Sequence, residues 1–193
     1  MTIFISGGCK NGKSFYAQRI AQGLYRQNPA NGLYYVATMR PTDKEDDERI
    51  LRHQKEREGW GFTTVEQPEN ILEILTRADP KGSFLLDSTT ALLANEMFSA
   101  DESFHPEAAQ KIANEMPILC SSIANLVVVS DTIYSDAALY NEWTECYRRG
   151  LALIDRTLAK ACDVVLEIAY GNKIIHKGQK EAEGIDQALA HSF

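Results

Sequence analysis

The sequence predicts an α/β fold, a mostly parallel sheet covered by helices on both faces, and three observations carry that expectation. Short β-branched or apolar runs alternate with longer helix-like stretches along the 193 residues. Two of the runs, "SFLLD" at 83–87 and "NLVVVS" at 125–130, are continuously apolar rather than alternating, as strands buried on both faces should be, so they belong at the centre of the sheet. The third observation is a glycine-rich turn between the first apolar run and the first helix-like stretch.

The elements follow in order. Strands are expected at "TIFIS" (2–6), "LYYVAT" (33–38), "FTTVE" (62–66), "SFLLD", "NLVVVS" and "DVVLEI" (163–168). Helices are expected over 13–27, 43–58, 88–98, 107–124 and 137–161. Within 43–58 only Ile50 and Leu51 are aliphatic, so composition alone reads that helix as a solvated one laced with i,i+4 ion pairs. "SADESFHPEAAQ" (99–110) reads as a polar insertion, and 179–193 as a loosely docked or frayed tail. The length suits one domain, 1–193, since two full-size cores would be a strain on so short a chain.

Composition narrows the function. A formal charge of −7 without a local basic patch gives a field that repels nucleic acid, so no nucleic-acid partner is expected. No run reaches the length of a membrane span and no basic-then-apolar leader opens the chain, which leads to the expectation of a cytoplasmic protein. Cys9, Cys120, Cys146 and Cys162 form no CxxC pair, against both a zinc site and a disulfide framework.

The turn reads "GGCKNGKS", in which Gly7, Gly12, Lys13 and Ser14 fill G-x-x-x-x-G-K-[ST] between a strand and an amphipathic helix. Such a P-loop turns successive backbone N–H groups onto phosphate oxygens at a helix N-terminus. Gly7, Gly8, Cys9, Lys10, Asn11, Gly12, Lys13 and Ser14 are therefore the candidate nucleotide-binding residues. Lys13 would reach the β and γ phosphates and the Ser14 hydroxyl would bind Mg²⁺. Lys10 either adds positive charge or is simply a solvated loop residue, and the Cys9 thiol sits inside the loop. A second Mg²⁺ carboxylate should end a buried strand, and Asp87 does so; Asp87 also suits the N-cap of the next helix, and Asp131 is a competing carboxylate.

Beyond the P-loop, "VATMRPTDKEDDERILRHQKER" resembles the adenosylcobinamide kinase/adenosylcobinamide-phosphate guanylyltransferase family of cobalamin biosynthesis. The matching positions are Ala37, Thr38, Asp43, Glu45, Arg49, Ile50, His53 and Arg57, with Asp87, Thr89 and Asn95 in "LLDSTTALLANEMF". The resemblance implies a P-loop NTPase with a RecA-like sheet, and ATP and GTP as substrates with Mg²⁺. It also implies a cobinamide-type corrinoid acceptor and a homo-oligomer, a trimer. It makes His53 the nucleophile that takes GMP from GTP, a role a neutral imidazole suits near pH 7. It adds Thr38, Arg49 and Arg57 to the nucleotide site. Arg49 and Arg57 lie four residues either side of His53, so one helical face would carry all three.

The second half departs from the family pattern. Where the family has Asn-Glu-Val-Gly after the "LVVVS" strand, this chain reads "DTIYSDAALYNEW", and the later Phe-Arg-Asp and Asn-Gln become Tyr147-Arg148-Arg149 and Asp155-Arg156. A P-loop kinase or NTPase with another acceptor, or a nucleotide-binding protein without turnover, stays an alternative. His105, His176 and His191 lack metal-ligand spacing, and Trp60 and Trp143 are ordinary packing candidates.

Overall fold

The computed structural model describes residues 1–41, 51, 54, 55, 57–98, 103–134 and 136–190. His53, Arg49, Asp43, Glu45, His191 and most of the expected 43–58 helix lie outside the described residues.

In chain order the strands are β1 Thr2–Gly7, β2 Leu33–Ala37, β3 Thr63–Glu66, β4 Ser83–Asp87, β5 Asn125–Val129, β6 Val164–Ala169 and β7 Asn172–Lys177. The helices are α1 Lys13–Gln27, α2 Ile74–Arg77, α3 Thr89–Met97, α4 Ala108–Ser122, α5 Glu142–Ala161 and α6 Gln179–Ala190. Among the described residues the sheet runs β3-β2-β4-β5-β1-β6-β7. Every pairing is parallel except β6 with β7. β5 thus stands between the strand that enters the glycine loop and the strand that ends in Asp87, which is the RecA-like order. β4 and β5, the two continuously apolar runs, are central as expected.

Strand alternation divides the core into two layers. Ile3, Ile5, Tyr35, Leu85, Val127, Val129 and Leu166 face Ile20 and Leu24 of α1 and Ile185 of α6. Phe4, Val36, Phe84, Leu86 and Val128 face Leu92, Ile112, Leu151, Ile154 and Leu158 on α3, α4 and α5. The α5 residues Leu151, Ile154 and Leu158 form an i, i+3, i+7 stripe with no exposed surface, each worth roughly 1.5–3 kcal/mol of burial. Gly150, one residue before that stripe, lets α5 meet α4 closely, because a Cβ there would stand 2.8 Å from the Ala109 Cβ.

Several boundaries differ from the sequence reading. α5 begins at Glu142 rather than 137, because the Asn141 side chain accepts from the Thr144 N–H at 2.9 Å and caps the first turn. Ser88, not Asp87, caps α3: its hydroxyl accepts from the Ala91 N–H at 3.4 Å, while Asp87 is the last residue of β4. β7 was not expected; Tyr170 and Gly171, both at positive φ, form the two-residue turn that folds it back on β6. α6 packs through Ala182, Ile185 and Leu189, with Asp186 receiving the Tyr16 hydroxyl at 3.0 Å and also pairing with Lys173.

Candidate active site

The parallel strands β1, β2, β4 and β5 all end at one edge of the sheet, so the glycine loop, Thr38, Asp87 and Asp131 are delivered to that edge together. The loop needs its glycines for two reasons. Gly7 has φ +149°, and a Cβ there would strike the Ile168 carbonyl and come within 2.7 Å of the Asn11 side-chain nitrogen. Gly12, at φ +89°, turns the chain into α1 in a left-handed conformation that favours glycine. Lys10 adopts φ 57° between them, and the Asn11 amide donates to the Ile168 carbonyl, tying the loop to β6.

Lys13 opens α1 and is only 4% exposed, so its ammonium must be paired. It donates to the Asp131 carboxylate at 2.8 Å, to the Gly8 carbonyl at 2.6 Å and to Asn11 Oδ1 at 3.4 Å. Asp131 follows the end of β5 and is itself held, its N–H donating to the Thr90 hydroxyl at 3.0 Å. The next residue fastens this corner to β1: the Thr132 N–H donates to the Gly7 carbonyl at 3.0 Å, and its hydroxyl meets that of Ser6 at 3.0 Å. The first turn of α1 carries no acidic residue and no side-chain cap, which suits a helix end that receives an anion. Ser14 is half-buried beside Lys13, and Gly8, Cys9, Lys10 and Gly12 are exposed.

Asp87 sits two strands from the glycine-loop strand. Its Oδ2 accepts the Tyr35 hydroxyl at 3.1 Å. The Arg57 guanidinium lies 3.5 Å from the centre of the Tyr35 ring, and Phe62 meets the same ring edge-on. Arg57 is 8% exposed, and its Nη1 has no partner among the described residues. The turn after Arg57 packs along α1: Gln22 donates to the Trp60 carbonyl at 3.0 Å, and Phe15 meets the Trp60 ring edge-on. Thr38 is fully buried, its hydroxyl donating to the Ser88 carbonyl at 2.8 Å and accepting the Ser88 N–H at 2.7 Å. It braces the turn behind Asp87 rather than offering an open donor. Asn95 secures the same turn by donating to the Thr38 and Pro68 carbonyls at 2.7 and 3.0 Å.

Among the described residues no three His, Cys, Asp or Glu side chains gather as a metal site. Mg²⁺ does not ask for such a cluster, because it takes one or two carboxylates and fills its shell with phosphate and water oxygens. Asp87, whose Oδ1 is not engaged by any described contact, and the Ser14 hydroxyl fit that hard-oxygen pattern.

The sequence reading did not identify Tyr35, Thr90, Tyr147 or Asp155 as part of this neighbourhood. Tyr147 donates to the Thr90 carbonyl at 2.8 Å. Asp155, close enough for its charge to interact with that of Asp131, accepts the Tyr134 hydroxyl at 2.9 Å, and burial pushes its carboxyl up to about 6. One signal was available: Asp155 falls on the apolar stripe of α5, next to Ile154. Arg148, 8% exposed, ties down the segment that departs from the family pattern, donating to Asp136 at 2.8 Å, Glu145 at 2.6 Å and the Ile133 carbonyl at 3.3 Å. His105 meets Ser103 and Glu107, and His176 meets Glu167. Trp143 stacks on Phe104, and Cys9 is an exposed free thiol. Among the described residues no helix is long and apolar enough to cross a membrane.

Two solved structures are similar in outline. The flagellar accessory protein FlaH from Methanocaldococcus jannaschii is 17% identical, with a TM-score of 0.43 over 91% of this chain and 77% of that one. The KaiC-like protein PH0186 from Pyrococcus horikoshii OT3 is 14% identical, with a TM-score of 0.48 over 91% of this chain and 78% of its own. No curated protein matches the sequence. The sequence model of the cobinamide kinase / cobinamide phosphate guanyltransferase family matches residues 3–175, a span from β1 through the glycine loop, Asp87 and Asp131 into β7, and this chain therefore belongs to that family.

Proposed function

We propose that this protein phosphorylates a cobinamide-type corrinoid with ATP or GTP and then transfers GMP from GTP to the phosphate so formed, through a guanylyl-histidine at His53. Family membership makes the chain a transferase of cobalamin biosynthesis. The observation that carries the reading further is the buried Lys13, poised in the glycine loop and neutralised by Asp131. Phosphate oxygens can take over the contacts that Gly8, Asn11 and Asp131 now make with that ammonium.

In the kinase step the acceptor hydroxyl attacks the γ-phosphorus, the bond from that phosphorus to the β,γ-bridging oxygen breaks, and the hydroxyl proton passes to solvent. Lys13 and the N–H groups of Gly8 to Ser14 hold the phosphates in line and offset the charge on their oxygens. Mg²⁺, held by Ser14 and Asp87, would supply further charge neutralisation. In the guanylyl step a neutral His53 nitrogen attacks the α-phosphorus and pyrophosphate leaves. The acceptor phosphate oxygen then attacks that phosphorus, the P–N bond breaks, and the histidine returns to its starting form. Arg49 and Arg57 would neutralise phosphate charge on either side of His53, and the assembly is a cytoplasmic trimer.

A second reading keeps the phosphate site with another small-molecule acceptor. It is favoured by the segment 131–141, which enters the site at Asp131 and departs from the family pattern. ATP labelled at the γ-phosphate and offered with adenosylcobinamide separates the two. Label on the corrinoid supports the first, and nucleotide turnover that never labels the corrinoid supports the second.

A further inference from the structure

We propose that Tyr35 is a positioning residue for the Asp87 carboxylate, coupling it through Arg57 to the part of the chain that follows His53; the proposal rests on the reading of Asp87 as a Mg²⁺ ligand. The pleat brings the two side chains together. Tyr35 pairs with Leu85 and Ala37 pairs with Asp87, so Tyr35 and Asp87 are diagonal neighbours on the face of the sheet that α1 covers. The tyrosine leans toward the strand ends and donates to Oδ2 at 3.1 Å. Occupying one carboxylate oxygen fixes the rotation of the group and leaves Oδ1 for a cation, which is how an outer partner orients a metal ligand.

Two side chains hold the ring. Phe62 contacts it edge-on, and the Arg57 guanidinium lies 3.5 Å from its centre. A cation over the π face draws electron density from the phenol and strengthens its O–H as a donor, more so where both groups are nearly buried, as Tyr35 and Arg57 are at 6% and 8% exposure. Arg57 is four residues beyond His53 in the chain. A shift of Arg57 would therefore be felt at Asp87 through one ring, linking the histidine's segment to the metal carboxylate.

The test measures Mn²⁺ affinity of the protein bound to a non-hydrolysable GTP analogue, by electron paramagnetic resonance, alongside metal-free nucleotide affinity and melting temperature. Tyr35→Phe keeps the ring and removes only the hydroxyl. It is expected to weaken Mn²⁺ binding about tenfold, the loss of one charge-assisted hydrogen bond, with metal-free nucleotide affinity held within about twofold. Arg57→Gln is expected to weaken Mn²⁺ binding in the same direction by about two- to threefold. Unchanged Mn²⁺ affinity in both variants overturns the proposal if Asp87→Asn still abolishes binding. If Asp87→Asn also leaves Mn²⁺ binding intact, the metal-ligand reading itself has failed and the proposal falls with it.

Discussion

Asp155→Asn reverses a cost that the native fold carries at neutral pH. The carboxyl lies on the buried stripe of α5 at 4% exposure, with Oδ2 accepting from Tyr134. Burial is the main cause that raises it from the usual 3.8 to about 6; the nearby Asp131 charge adds to the rise, and the hydroxyls of Ser130 and Tyr134 oppose it. The native state therefore holds this proton more tightly than the unfolded chain. Stability from the protonated carboxyl is fully present below pH 3.8 and is lost as pH rises through about 6. Roughly two orders of magnitude in proton affinity, at about 1.4 kcal/mol for each, set a ceiling of about 3 kcal/mol. Asparagine keeps an acceptor for Tyr134 and cannot ionise, so it behaves as the protonated carboxyl does at every pH. Urea titrations of both proteins between about pH 4 and pH 8 should show nearly equal stabilities at the acid end. The asparagine variant should become the more stable by up to about 3 kcal/mol at the other, or about 6–12 °C in melting temperature for a chain of this size. Taking the difference between the two proteins cancels the titrating groups that do not interact with Asp155. A gap that stays constant across that range would mean that ionised Asp155 is not penalised in the fold.

Two further outcomes follow from the glycine loop. Lys13→Ala removes the ammonium that meets Gly8, Asn11 and Asp131; both proposed transfer reactions should fall by about 10²–10³, with nucleotide affinity lost in calorimetric titration. Gly7→Ala places a methyl against the Ile168 carbonyl and the Asn11 amide; it should cost about 1–3 kcal/mol in chemical denaturation and abolish nucleotide binding, whereas Gly8→Ala, with nothing near its Cβ, should do far less to stability.

Local chemistry made much of the fold readable in advance. α1 runs over Lys13–Gln27 as expected because the glycine loop fixes its start, and β4 and β5 are central because nothing but burial on both faces accommodates "FLL" and "LVVV". β7 escaped because "NKIIHK" is an edge strand with mostly exposed side chains, although the Tyr170-Gly171 turn before it was a usable hairpin signal. At α3 the cap moved by one residue, since both Asp87 and Ser88 are good caps and only the strand pairing of Asp87 with Ala37 decides between them. The site was legible where its residues are consecutive, in "GGCKNGKS", and opaque where it is assembled from afar. Lys13 and Asp131 are 118 residues apart, Tyr35 and Asp87 are 52 apart, and no local pattern encodes either contact. Both were reachable only through the parallel strand order that brings strand ends to one edge.

GTP labelled at the α-phosphate shows whether His53 carries GMP between GTP and the acceptor, as proposed. Incubated with Mg²⁺ and no acceptor, the protein should retain label that is stable to alkali and lost in acid, as a P–N bond is, and adenosylcobinamide phosphate should discharge it. His53→Ala should retain none while still binding nucleotide at the glycine loop. Saturating Mg²⁺-GTP that leaves no covalent label on the wild-type protein, or equal label on His53→Ala, would rule out a guanylyl-histidine at this position.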